Sequence, residues 1–147
     1  MKDIGLEVAI EEARIGLDEG GIPIGSALAI EGEIVGRGHN RRVQKGSVIL
    51  HGEMDALENA GRLPVSAYRR STIYTTLSPC EMCSGAILLY AIPKVVVGEN
   101  RTFMGAEDYL RSSGVVVEVV DDQRCVDLMK GFIGALPDLW NEDIGLD

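Results

Sequence analysis

The second half of this chain alternates β-rich runs with helix-forming stretches, and that alternation limits the fold more than any other feature. Ser71 to Thr76, Lys94 to Gly98 and Val115 to Val120 are the β-rich runs. Between them lie a helical stretch from Cys80 to Tyr90 and a short one from Gly105 to Arg111; Asp122 to Ile133 forms another after the last run. Strands separated by helices pair in parallel through right-handed crossovers. The runs Val95-Val96-Val97 and Val115-Val116-Val117 read as strands buried on both faces.

The first half adds an antiparallel element. Ile4 to Leu17 predicts a helix whose apolar stripe is Ile4, Val8, Ala9, Ala13 and Leu17, stopped by Gly20-Gly21. Ile24 to Ile30 and Glu33 to Val35 read as a hairpin turning at Glu31-Gly32. A polar loop from His39 to Ser47 follows, then a helix from His51 to Ala60 that ends at Gly61. The order α-β-β-α-β-α-β-α-β-α predicts an α/β fold, a three-layer α-β-α sandwich around a mixed five-stranded sheet. With 147 residues and no repeat, low-complexity tract or linker, the expectation is a single domain over residues 1–147.

Charge and cysteine content exclude several classes. A formal net charge of -9 argues against a nucleic-acid partner, whose phosphates call for a basic face. Arg41, Arg42 and Lys45, and likewise Arg69 and Arg70, read as solvated loop charges. The acidic N-terminal stretch M-K-D-I-G-L-E-V-A-I-E-E lacks the apolar core of a signal peptide. Ala86 to Ala91 is too short to span a bilayer, so no membrane association is expected. Three cysteines, an odd number, suggest a reducing, cytoplasmic location.

Two segments carry chemistry: His51-Gly52-Glu53 and Pro79-Cys80-Glu81-Met82-Cys83, each opening a predicted helix. Cys80 and Cys83 are three apart and share a helical face; free N–H groups at a helix start favour thiolates. Pro79 suits that start, where its missing N–H costs little. Two thiolates and one imidazole fill three tetrahedral positions of Zn²⁺ and leave the fourth for water, the arrangement of a catalytic site. Neither Cys125, in a separate helix, nor His39, beside a polar loop, offers an obvious fourth ligand. Glu53 supplies a carboxylate able to accept a proton from water and return it to a ring nitrogen and a leaving amine. The alternatives are a redox role for the two cysteines and a core histidine at His51. Both fit the combined spacing less well than zinc, and Cys125 reads as a buried helix residue. H-x-E followed by P-C-x-x-C is the pattern of zinc-dependent deaminases.

Beyond this motif the chain resembles the fungal-type cytosine deaminases, within the cytidine deaminase fold superfamily. The resemblance runs through E-G-G-I-P-I-G, G-R-G-H-N, Q-K-G-S, L-H-G-E, L-E-N-A-G-R-L, Y-T-T-L-S-P-C-E-M-C-S-G-A-I, V-V-G-E-N and W-N-E-D-I-G. It implies one Zn²⁺ per chain held by His51, Cys80 and Cys83, with Glu53 as the proton shuttle. It further implies that Asn40, Gly52 and Ser78 bind the edge of a base and that Asp143 accepts from its amine. Phe103 and Trp140 would cover the ring, with Ile24 and Leu77 as apolar lining and the C-terminal segment as a lid. The chain departs from the fungal pattern at Arg41, where a methionine is usual, at Met54-Asp55, at Arg101-Thr102, and at Asn141, where an aromatic is usual.

The resemblance implies hydrolytic deamination of free cytosine to uracil and ammonia in pyrimidine salvage, by a homodimer. Guanine, a modified pyrimidine or tRNA adenosine are the alternative substrates, and a non-catalytic zinc module is the alternative outside enzymes. The acidic charge and a closing tail weigh against a polymer substrate, and a closed fourth metal position would be needed for the module.

Overall fold

The structure, a computed structural model, describes residues 3–147. Met1 and Lys2, at the start of the acidic N-terminal stretch, lie outside the described residues. In chain order the elements are α1 (Ile4–Asp18), β1 (Gly25–Ile30), β2 (Glu33–His39), α2 (Arg42–Lys45), α3 (Gly52–Ala60), α4 (Val65–Tyr68) and β3 (Ser71–Leu77). There follow α5 (Glu81–Leu89), β4 (Lys94–Glu99), α6 (Glu107–Ser112), β5 (Val116–Val119), α7 (Gln123–Ala135) and α8 (Pro137–Asp143). The five strands form one mixed sheet in the order β2-β1-β3-β4-β5. β1 pairs antiparallel with β2 and β3, whereas β3, β4 and β5 run parallel. The expected architecture and the expected direction of the later strands are both present.

Local chemistry explains the elements. The hairpin turns where Glu31 and Gly32 both adopt positive φ (52° and 84°), the geometry that matches the twist of the flanking strands. Asp3 caps α1 by accepting from the Gly5 N–H at 3.1 Å, and Asp122 caps α7 by accepting from the Arg124 N–H. One face of the sheet packs Leu28, Ile73, Val95 and Val97 against Ile87 and Tyr68. On the opposite face Tyr74 packs with Leu6, Ile10 and Cys125 of α1 and α7.

Three expectations need correction. In α1, Ile4 and Leu17 are exposed, and the buried stripe is Leu6, Ala9, Ile10, Ala13 and Gly16. The period holds but its phase rotates, because α1 lies so close to β1 that a Cβ at Gly25 would strike the backbone of Ala9 and Ala13. Small side chains therefore face the sheet. β5 is not buried on both faces: Val116 and Glu118 are exposed, as befits the last strand of the sheet. The basic segment after Asn40 is not a solvated loop either. Arg42 and Lys45 belong to α2, Arg41 pairs with Asp55, and Arg42 reaches Asp143.

Candidate active site

The mixed sheet gathers one edge. Ile24 precedes β1, Asn40 follows β2, Ser78 follows β3, and Glu99 ends β4. The register sets Gly25 opposite His39 and Leu77 opposite Glu99, so these four chain ends meet. A crevice at the carboxyl ends of parallel strands is the usual ligand site of an α/β sheet. Asn40 donates its backbone N–H to the Ile24 carbonyl at 3.0 Å, which ties two of the ends together. Gly36 and Gly38 permit α3 to press on β2; a Cβ at either would lie 2.5–2.8 Å from atoms of α3.

His51 and Cys80 are the N-cap residues of α3 and α5, both in extended backbone. This places the two motifs at neighbouring helix starts. One ligand atom from each of His51, Cys80 and Cys83 lies within 4.8 Å of the other two. His51 Nδ1 is 3.4 Å from Cys80 Sγ, and Nε2 is 3.2 Å from Asp143 Oδ1. The Asp143 carboxylate thus accepts from Nε2 and leaves Nδ1 turned to the thiols, the arrangement that orients a histidine ligand. Two sulfurs and one imidazole nitrogen, all partly or fully buried, are a donor set that fits Zn²⁺ with three protein ligands. Cys125, in α7, is buried apart from this cluster.

The charges of the cluster are strongly coupled. A hydrogen bond from the Cys83 thiol, with His51, lowers Cys80 to about 4, while Cys83 is pushed well up. Burial disfavours charge on His51, but Asp143, Cys80 and Glu53 outweigh it and raise the imidazole to about 10. Metal ligation therefore displaces protons from this site. Glu53 is buried in the first turn of α3; burial, and then the Cys80 charge, raise its carboxyl to about 7. A carboxyl near neutrality can hold and release a proton in turn.

Asp143 is the hub of the opposite side. Its Oδ2 accepts from Asn40 Nδ2 at 3.0 Å, and its Oδ1 accepts from Arg42 Nε at 2.7 Å as well as from His51. Burial alone would raise this carboxyl, but His51, Arg42 and Asn40 hold it below its usual range. Asn40 Oδ1 in turn accepts from the Arg42 backbone N–H at 2.9 Å. Ser78 donates its hydroxyl to the buried Glu107 at 2.6 Å and accepts from Gly105 N, which pins the turn before α5 to the loop carrying Phe103.

Phe103 and Trp140 meet edge to face, with centroids 5.7 Å apart. With Ile24, Leu77, Ser78, Glu53 and Asp143 they enclose a cavity of about 20 Å³. Gly52 lies beside it, 3.1–3.4 Å from Ile24 as measured to an added Cβ. The structure thus brings every expected site residue to one place. Sequence reasoning missed Arg42, Ile144 and the helical form of residues 137–143. Pro137 at the first turn of α8 was the readable signal, since proline favours that position.

This fold, with a His-Cys-Cys cluster beside a buried carboxyl, defines a metal-dependent hydrolytic site of the deaminase type. The chain belongs to the family described as the cytidine and deoxycytidylate deaminase zinc-binding region, whose profile matches residues 3–99. It is 57% identical to a cytosine deaminase of Candida albicans over 142 residues, 96% of this chain and 95% of the relative. It is 34% identical over 134 residues to a tRNA-specific adenosine deaminase of Streptococcus pyogenes, 88% of this chain and 80% of that one. Among solved structures, a guanine deaminase from Nitrosomonas europaea aligns with a TM-score of 0.71 at 20% identity, covering 91% of this chain and 85% of that one. That last likeness is one of fold.

Proposed function

We propose that this protein hydrolyses free cytosine to uracil and ammonia. The observation that carries the reading is a buried Glu53 beside the His51, Cys80 and Cys83 cluster, under a wall made by Phe103 and Trp140. The extended similarity to the Candida albicans cytosine deaminase supports the choice of base. His51, Cys80 and Cys83 would hold Zn²⁺, which would supply the Lewis acidity that makes water a nucleophile at neutral pH.

The remaining steps belong to the chain itself. Glu53 takes a proton from the attacking water and gives it to ring N3 as the C4–O bond forms. It then takes the proton of the new C4 hydroxyl and passes it to the amine, which leaves as ammonia while the C4 carbonyl forms. Asp143, ionised by its three donors, accepts from the amine and holds His51 in the required tautomer. Asn40 offers a donor and an acceptor to the carbonyl edge of the ring, beside Gly52 N–H and the Ser78 carbonyl. Ile24, Leu77, Phe103 and Trp140 exclude water.

The cavity of about 20 Å³ is covered by α8, whose movement would admit a base. A groove of about 410 Å³ along Phe103, Glu142 and Leu146 adjoins the cavity and offers a route. Such a cover favours a free base over a nucleotide within a polymer. We further place residues 1–147 in one catalytic domain, supported by a site built from both halves of the described chain. A homodimer acting in the cytoplasm in pyrimidine salvage accompanies this reading. Exposed Val65, Leu89 and Tyr90 on the α3–α5 side support a partnered face, and among the described residues no helix is long and apolar enough to cross a membrane.

The test is to incubate zinc-loaded protein with cytosine and to follow the ultraviolet change and ammonia release, beside Glu53→Gln. Conversion by the wild type is expected. The variant should keep its zinc and lose about 10²–10⁴-fold in kcat, the range of general acid–base catalysis. A well-folded, zinc-replete wild type that leaves cytosine intact overturns the reading.

A further inference from the structure

Two departures from the fungal pattern meet in space. Arg41 Nε donates to Asp55 Oδ2 at 2.9 Å, and the same oxygen accepts from the His39 backbone N–H at 3.0 Å. One oxygen of a buried carboxylate therefore ties down the residues on either side of Asn40. The Asp55 side chain is only 4% exposed and Arg41 23%. Asp55 lies on α3, two residues beyond Glu53. The contact is close by construction: a Cβ at Gly38 would fall 2.5 Å from Asp55 Oδ2.

Arg41 and Arg42 divide the work between two helices. Arg42 runs to Asp143 on α8, which covers the cavity. Arg41 runs to α3, which carries Glu53. Asn40 sits between them, fully buried, with its N–H on Ile24 and its amide on Asp143. The Arg41 backbone N–H is itself fixed, donating to the Leu50 carbonyl at 2.9 Å. A side chain that is held on both flanks presents its amide in one orientation, and a hydrogen bond lost to misorientation is felt as weaker binding.

We infer that Arg41 and Asp55 form a positioning pair that fixes Asn40 relative to Glu53, so that in this chain an ion pair sets the edge of the base pocket. The inference rests on the reading of the site as a base pocket. Arg41 touches neither the cavity nor the cluster; it acts through Asn40. The pair is partly shielded and made by a charged hydrogen bond to a carboxylate that also holds the backbone. It is therefore stronger than an exposed ion pair of the surface.

The experiment uses the zinc-loaded full chain and the variants Arg41→Met, Arg41→Lys, Asp55→Asn and the double variant Arg41→Met/Asp55→Asn. Two quantities are read: hydrogen exchange of the Asn40 backbone N–H by NMR, and KM and kcat on cytosine. Arg41→Met should speed Asn40 exchange and raise KM by about tenfold, a loss of about 1.4 kcal/mol, with kcat within about twofold. Arg41→Lys should recover most of both. The double variant should be no worse than the worse single variant, because the two residues serve one interaction.

Unchanged Asn40 exchange and KM in Arg41→Met and Asp55→Asn overturn the pair's role, even where melting temperature falls. Should Arg41→Met not fold, Asp55→Asn decides by the same two readings. A wild type that ignores cytosine while Asn40 exchange still responds to the substitutions overturns the substrate reading and upholds the pair.

Discussion

The candidate site has two walls, and they are built differently. The metal wall is hung from the sheet: α3 and α5 start where β2 and β3 lead, and His51, Glu53, Cys80 and Cys83 lie within 33 residues of sequence. The covering wall is a seven-residue helix, α8, joined to α7 through Leu136 alone, whose backbone leaves the helical region (φ −136°, ψ 62°). It is held by Asp143 to Asn40, Arg42 and His51, and by Trp140 to Phe103. A reaction centre on rigid elements beneath a cover held by side chains lets the chemistry stay fixed while the cover opens.

Breaking the metal wall should have the largest effect. Cys83→Ser, or a strong chelator, should abolish measurable deamination and lower melting temperature, because metal binding stabilises the folded state. Activity assayed with zinc content by atomic absorption checks this. Full activity without zinc would erase the distinction between the walls.

Asp143→Asn strikes the joint between them. The neutral amide leaves Arg42 only its longer ion pair with Glu142 at 3.7 Å, and its single oxygen cannot accept from three donors. We expect kcat/KM to fall on the order of 10–100-fold, about one charge-assisted hydrogen bond, with zinc stoichiometry unchanged. Loss of zinc in this variant would assign Asp143 to the metal wall instead.

Trp140→Phe, on the cover alone, should have the smallest effect. It keeps an aromatic against Phe103 with less contact area. KM should rise about threefold, below one ordinary hydrogen bond, with kcat unchanged or slightly higher if opening limits turnover. A kcat loss comparable to that of Glu53→Gln would mean that Trp140 shapes the reaction centre.

The metal wall was legible because its residues act over short spacings: C-x-x-C and H-x-E specify their own geometry once a helix starts there. The hairpin at Glu31-Gly32 and the parallel second half were legible for a similar reason, since turn chemistry and crossover handedness are local rules. The sequence placed Ala9 and Ala13 on the buried face of α1 but could not set its edges, because the choice of Leu6, Ile10 and Gly16 over Ile4 and Leu17 depends on how closely β1 approaches. It misread Val116 as buried, since whether a valine run is central or an edge depends on what pairs outside it.

The basic segment after Asn40 shows the limit best. As sequence, Arg41 and Arg42 are two charges in a polar stretch. In the fold, one neutralises a carboxylate 14 residues on and the other a carboxylate 101 residues on. By itself the sequence determined the order of the strands and of the longer helices between them, and singled out His51, Cys80 and Cys83 as one cluster with Glu53 beside it, which periodicity and spacing encode. Only the tertiary structure decided which charges are paired, how Asn40 is held and what closes the cavity. Coulomb and hydrogen-bond energies depend on distance and burial, and neither is written along the chain.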